Sequence, residues 1–446
     1  MKKFYRLLLL TGLLSVNLFA QGLDIDSDTD SDSKIKFSGF GYYMFGQIVS
    51  GIYGDKWDSP TSSFSHLWVN TSLLHLNLES NATSWFTAKL GLEFYVTFPL
   101  QGSNAMDKAS YFRTYKSYLA EAQGTMHWDF DHSFFSSLKI KTGMLPYTIN
   151  PEVKTLGNYL YRSTVHPVSI QNKVDYPWAD LLGGVAEVGL LENKIKIEAM
   201  LSTEFTYVPF FDFTPALGAY YKPNEIIDIG GAIAFHHALQ ANGALMPDSV
   251  GEAWQGIKID ARAIFDPKPL FGGMDFIEKE GLKIYAEVAL LGLKDTLEVD
   301  TSNLASLRSS DTTDLKDFVF PEYTALNRMP IMVGINLPTW KILDLLAIEV
   351  EWFYSPYANH WLGLFDQQST YSPPINSLKQ WDNYVNKDNF SWAIHVRKSV
   401  GKFEARALFS RDHTIYMINN VTNGNFEQTM KRPQDWQWLI QLRYNL

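Results

Sequence analysis

Charged side chains recur at every second position in several stretches of this sequence. Lys89 and Glu93 share one parity, while Phe86, Ala88, Leu90, Leu92 and Phe94 share the other. Lys139 and Lys141 alternate with Leu138 and Ile140, Arg262 with Ala261 and Ala263, and Arg406 with Ala405 and Ala407. Glu121, Glu187, Glu287, Glu349, Glu351, Arg397 and Arg443 fall into the same pattern. On an extended chain, alternate residues face the same side. A row of fixed charges on a wet face needs no reaction to be useful. It selects what passes, because an ion entering a narrow path must have its lost hydration replaced. A further stretch, 145–180, adds Glu152, Lys154, Arg162 and Asp175, and is stiffened by Pro146, Pro151, Pro167 and Pro177. Taken singly, each of these charges is better read as a paired group that only keeps its face hydrated.

Groups that make or break bonds are scarce. There is no G-x-S-x-G, H-E-x-x-H or P-loop pattern. His236 and His237 are adjacent, so on a strand they face opposite sides and cannot chelate one metal. Ser410, Asp412 and His413 lie close in sequence, but the strand parity turns Ser410 and Asp412 to the charged face, not outward to lipid. Asp24, Asp26, Asp28, Asp30 and Asp32 resemble a calcium loop in spacing. They lack the glycine and the closing glutamate that such a loop requires, since Thr29 and Ile35 occupy those places. They read as a solvated acidic linker. No enzyme, cofactor or metal is expected.

The elements that position the charges are strands. Sixteen alternating runs can be counted, from 35–50 to 435–446. In the last run, Trp436, Trp438, Ile440, Leu442, Tyr444 and Leu446 share a face opposite Gln437, Gln441, Arg443 and Asn445, with Leu439 out of phase. The connections alternate in length. Short ones include 80–84, 192–193, 222–225, 338–342 and 399–401. Long ones include 99–110, 145–180, 294–328 and 355–389. The connection 267–280 is long for its side and has room for a small helical turn. Apolar-out, polar-in strands with short turns on one rim and long loops on the other predict a closed antiparallel transmembrane β-barrel of about sixteen strands. Trp85, Trp128, Trp340 and Tyr444 fall near the short turns. Trp352, Tyr354, Trp392 and Trp436 fall near the long loops, where two interfacial aromatic belts belong.

Composition agrees. The 446 residues are 46% hydrophobic, too few for a bundle of membrane helices, and 15% aromatic. There is no cysteine, and the net charge of −10 argues against a nucleic-acid partner. Residues 1–20 read as a signal peptide: Lys2, Lys3 and Arg6, then a leucine-rich core, then Leu18-Phe19-Ala20. Residues 21–34 are the acidic linker, and 35–446 the barrel.

These features together resemble the Gram-negative outer-membrane porins. The likeness rests on the leader, the sixteen runs, the alternation of loop lengths and the aromatic terminal strand, and spans roughly 35–446. It implies a water-filled lumen for passive diffusion of small polar solutes or ions, placement in outer-membrane lipid, and a homotrimer. It also implies recognition of strand 435–446 by the barrel-assembly machinery, although the chain ends in Leu446 where such proteins commonly end in Phe. Porins of this size fold their third long loop inward, here 145–180. An outward-lying loop is the other reading. The approach Lys139–Tyr147, a basic strand ending in G-x-x-P and an aromatic, is similar to the phosphate-selective porins but assigns no anion selectivity. The expected constriction and lumen set is Lys89, Glu93, Glu121, Lys139, Lys141, Glu152, Lys154, Arg162, Asp175, Arg262, Arg397 and Arg406. The aromatic loop 355–389 suits a saccharide path or ordinary loop packing. The competing function is a plugged barrel acting as an anchor, adhesin or polysaccharide binder through its outer loops.

Overall fold

The computed structural model describes residues 35–52, 63–101, 114–132, 134–161, 179–203, 213–236, 238–239, 256–272, 276–291, 329–353, 390–417, 426–428, 430 and 432–446. The expected leader, the acidic linker, Arg162, Asp175, His237, Tyr354 and the loop 355–389 lie outside these residues.

Sixteen strands form one closed antiparallel barrel. They are β1 (Ile35–Ile52), β2 (Ser63–Thr83), β3 (Phe86–Gln101), β4 (Thr114–Asp129), β5 (Phe135–Tyr147), β6 (Ala179–Leu190), β7 (Ile195–Thr203), β8 (Phe213–Tyr221), β9 (Ile227–His236) and β10 (Gly256–Phe265). The ring continues with β11 (Lys283–Leu291), β12 (Ile331–Asn336), β13 (Leu345–Trp352), β14 (Phe390–Val400), β15 (Phe403–Arg411) and β18 (Trp436–Asn445). Two further strands, β16 (Ile415–Met417) and β17 (Phe426–Gln428), pair with each other outside the ring, within the last long connection. β18 closes the barrel by pairing with both β15 and β1, so the ring has no open edge. Each of the sixteen runs has its strand, with ends that differ by a few residues.

Alternation builds the wall. On β10, Lys258, Asp260 and Arg262 are buried toward the lumen while Ala261 and Phe265 are exposed outside. On β18, Gln437, Leu439 and Gln441 are buried while Leu442 and Tyr444 are exposed. The exposed outer set includes Ile197, Leu201, Leu217, Ile229, Val333 and Phe409, an apolar surface that lipid, not water, suits. No helix among the described residues is long and apolar enough to cross a membrane, so the crossing belongs to strands. This is a transmembrane β-barrel fold.

The short rim is tight. Leu191, Glu192 and Asn193 all take positive φ in the β6–β7 turn, and β14 joins β15 through Gly401 and Lys402 alone. Trp85 and Trp128 stack at this rim with ring centroids 6.0 Å apart, and Trp340 is exposed there. Toward the other rim, Trp68 meets Trp438 edge-on at 6.0 Å, and Trp352 is exposed. The long connection between β10 and β11 contains a 3-10 turn, Lys268–Phe271, and then sends Ile277 and Glu278 into buried positions.

The lumen departs from the uniformly wet channel that the charge pattern suggested. Phe40, Tyr42, Met44 and Ile48 on β1, with Leu67, Val69 and Leu73 on β2, are buried on the inner face. β1 is apolar on both faces, since Phe37 and Tyr43 are exposed outside. A second buried apolar group lines β5 to β9: Leu145, Tyr147, Leu181, Val185, Met200 and Tyr220 among it.

Candidate functional site in the lumen

The stretch that follows β5 covers both apolar groups. Gly143 prepares the departure. Its φ is +116°, and a Cβ there would sit 2.0 Å from the Ala122 carbonyl oxygen, so the strand bends at a position only glycine fills. Tyr147 then turns inward. Its hydroxyl donates to Glu198 Oε2 at 3.0 Å and lies 3.0 Å from the Tyr220 hydroxyl.

In a ring of sixteen strands, β5 and β13 stand eight places apart, on opposite walls. The chain from Thr148 nevertheless docks on β13. Glu349 Oε1 accepts the backbone N–H of Lys154 at 2.5 Å, and Glu349 Oε2 accepts those of Thr155 and Leu156 at 2.8 and 2.9 Å. Tyr285 of β11 donates its hydroxyl to the same carboxylate at 2.9 Å. Glu349 is fully buried, a position a carboxylate tolerates only when its lone pairs are met. The Thr155 hydroxyl lies 2.7 Å from His395 Nε2 on β14. The segment 148–156 therefore spans the lumen.

It returns along β13 to β10. Tyr159 donates its N–H to Glu287 Oε1 at 2.9 Å and its hydroxyl to Glu351 Oε2 at 2.6 Å, and its carbonyl accepts from Lys258 Nζ at 3.2 Å. Tyr161 then meets the Tyr147 ring edge-on, with centroids 5.6 Å apart. Asn158 ties the two limbs together. Its Oδ1 accepts from the Thr148 hydroxyl at 2.7 Å and from the Asn150 N–H at 3.0 Å. Val153, Leu156 and Tyr159 join the apolar group of β1 and β2, which extends over β10 to β12, β14, β15 and β18, while Ile149, Leu160 and Tyr161 join that of β5 to β9.

Charges tether the segment from the short-turn side. Lys283 Nζ lies 2.6 Å from Glu152 Oε1, and Lys154 Nζ 3.6 Å from Glu280 Oε2. Arg397 pairs with the other oxygen of Glu280. Burial alone would raise the Glu280 carboxyl, but Arg397, Lys154 and Lys283 outweigh it and hold the group below its ordinary value of 4.5. Glu278, from the same connection, accepts from the Thr339 N–H at 2.6 Å and the Lys341 N–H at 3.3 Å, binding two short-rim turns together. Burial pushes its carboxyl up too, and its own backbone N–H with those of Thr339 and Lys341 brings it below 4.5.

The wall from β3 to β7 is different. Lys89 pairs with Glu121 at 2.7 Å, and Lys196 with Glu198 at 2.8 Å and Glu187 at 3.8 Å. Lys89, Lys139, Lys141, Glu187 and Lys196 are partly exposed here. Near the short-turn ends of β3 to β7 the inward charges are thus partly exposed, while farther along the same wall Glu93, Glu121, Glu198 and the second apolar group are buried.

The expected residues divide accordingly. Lys89, Lys139 and Lys141 are partly exposed near the short-turn ends of β3 and β5, and Glu121 is buried against Lys89. Glu152, Lys154 and Arg397 form the tether. Glu93 is buried against His75 Nδ1 at 2.9 Å. Arg262 bonds Asp228 at 2.9 Å and lies 4.8 Å from the Tyr220 ring centroid. Arg406 pairs with Glu404 at 2.5 Å. Ser410 donates to Asp412 at 2.7 Å, whereas His413 bonds Glu351 at 2.5 Å. Sequence reasoning missed Tyr159, Glu280 and the turn at Gly157 and Asn158. A Gly-Asn pair inside a charged loop is a turn signal that marks where such a segment reverses.

No family model matches the chain, and no curated protein matches it. Among solved structures, two variants of the Rhodopseudomonas blastica porin are similar to it at 7% and 6% identity, with TM-scores of 0.42 and 0.43. Each comparison covers 93% of this chain and 100% of the porin chain. The closed ring of sixteen paired strands defines the porin-like barrel on its own.

Proposed function

We propose that this barrel is an outer-membrane porin of a Gram-negative cell, admitting small polar solutes or ions by passive diffusion. The supporting observation is the partly exposed row Lys89, Lys139, Lys141, Glu187 and Lys196, which faces a crossing segment fastened to the opposite wall by Glu349. In this reading the segment 148–161 is the constriction, and the loop 145–180 is the inward-folding element. Arg162 and Asp175 belong to it by sequence. Solutes pass beside the segment, along β3 to β7, and are sorted by size and weakly by charge. The leader 1–20 is removed on export, strand 435–446 is read by the assembly machinery, and three copies associate in the lipid.

A second reading has its own support. The inner faces of β1 and β2 are buried under protein: Met44 is 2% exposed and Ile48 0%. A barrel filled on all sides would be an anchor, an adhesin or a polysaccharide binder working through its outer loops.

Single-channel recording of the folded protein in a planar bilayer separates the two. Stable conductance steps with a defined reversal potential in a salt gradient are expected. Silence from protein shown to be folded by its heat-modifiable gel mobility would overturn the porin reading in favour of the plugged one.

A further inference from the structure

The outer wall carries a groove of about 640 Å³ near the short-turn rim, where β14, β15, β18 and β1 meet. Strand register builds it. One row across the wall reads Lys398, Ala405, Leu442, Tyr43, and the next reads Val400, Phe403, Tyr444, Gly41. The large side chains stand as walls, and Ala405 and Gly41 leave the floor low. Gly41 is not forced to be glycine by the wall. A Cβ there would meet only the Leu73 carbonyl oxygen at 3.7 Å and Leu74 at 3.8 Å, whereas at Gly46 it would lie 2.2 Å from the Trp438 oxygen. Val400 and Phe403 are 70% and 67% exposed, among the largest values for apolar residues of this barrel.

The mouth of the groove is cationic. Lys402 projects over the Tyr444 ring at 5.8 Å from its centroid. Lys398 Nζ bonds the Lys341 carbonyl oxygen at 2.9 Å and reaches Asp344 Oδ1 at 3.4 Å. Asp344 therefore offsets Lys398, Glu404 at the groove is paired with Arg406, and Lys402 lies over Tyr444 with no ion pair among the described residues. An apolar slot capped by ammonium groups and an aromatic ring matches an amphiphile with an anionic head.

We propose that this groove is a preferential seat for one anionic phospholipid of the leaflet at the short-turn rim. Its acyl chain lies over Gly41 and Ala405, and its phosphate meets Lys402. The inference requires only that the barrel sit in lipid, and its readout does not depend on conductance.

The test is native mass spectrometry of the full folded protein, titrated with dioleoylphosphatidylglycerol or dioleoylphosphatidylcholine. One phosphatidylglycerol is expected to be retained in preference to phosphatidylcholine. A lysine beside an anionic headgroup contributes about a factor of five, so Lys402→Gln should lower that preference by about fivefold while leaving chain binding intact. Ala405→Trp should fill the slot and abolish the retained lipid. Gly41→Leu serves the same purpose should the tryptophan variant fail to fold. Equal retention of the two lipids by the wild type would overturn the proposal. So would unchanged retention in a folded groove-filled variant, or loss of an oligomer with lipid retention unaltered, which would give the groove to a second copy of the chain.

Discussion

Glu349 Oε2 accepts the backbone N–H of Thr155 at 2.8 Å, although Thr155 follows a strand on the opposite side of the barrel. One buried carboxylate thus collects three consecutive backbone donors and a tyrosine hydroxyl. Replacing it by alanine strands those donors beside an apolar cluster, where each unmet group costs roughly 1–3 kcal/mol. Glu349→Ala is expected to lower barrel stability by about 3 kcal/mol or more. Gel mobility after graded heating measures this. The released segment should also give larger and noisier conductance steps. Unchanged melting and conductance would mean that the segment is held by its apolar contacts alone.

Gly157 is the reversal point. Its φ is +87°, and a Cβ would lie 2.8 Å from Met332 Cε and 3.0 Å from Glu287 Oε2. Left-handed backbone costs a branched residue roughly 1–2 kcal/mol before any clash is counted. Gly157→Val should therefore destabilise by about 2 kcal/mol or more and loosen the return limb. Proteolysis supplies a direct check. The variant should be cut within 148–161 by an added protease that leaves the wild type intact.

The ring of strands was legible because lipid outside and charge inside impose period-two alternation over each span. The connection lengths then ordered the rims. The interior was less legible for a physical reason. Met44 and Ile48 share a parity with inward residues, yet Phe37, Tyr43 and Phe45 make the other parity apolar too, so alternation cannot say that one face is covered by a loop. Glu349 and Glu287 were recognised as inward, but their partners are backbone N–H groups of a segment far away in sequence. No spacing rule reports such a bond. The 267–280 connection reads as overlong with room for a helical turn, which Lys268–Phe271 supplies, but nothing in its spacing points to the lumen. Its last residue, Glu280, meets Lys154 and Arg397.

That Glu280 tether has a pH dependence of definite sign. Its carboxyl is held below 4.5 in the folded protein, so its contribution is complete above that value and is lost as pH falls through the lower folded value. The side chain is 31% exposed, so screening keeps the effect to about 1 kcal/mol or less. As the pH falls below 4.5 the wild type should show a rise in open-channel noise as the short-rim end of the segment loosens. Glu280→Gln should be noisy at neutral pH and show no such step. A wild type and a variant with the same acid profile would remove Glu280 from the tether.

The partly exposed charges near the short-turn ends of β3 to β7 should set ion preference. Lys139 and Lys141 face the lumen on β5, opposite Glu187 and Val185 of β6, with Lys196 close by on β7. Lys139 and Lys141 are partly exposed here and make no close ion pair among the described residues, so their field reaches a passing ion. The double change Lys139→Glu with Lys141→Glu inverts two of those charges without touching the crossing segment. Reversal potential in a salt gradient should move toward cation preference, with step size altered far less than in Glu349→Ala. The shift should shrink as bulk salt rises, because the screening length falls from about 10 Å at 0.1 M to about 3 Å at 1 M. The matched change Arg262→Gln, at a buried position, should leave the reversal potential where it was. If Arg262→Gln moves it and the double lysine change does not, ions pass along β8 to β11.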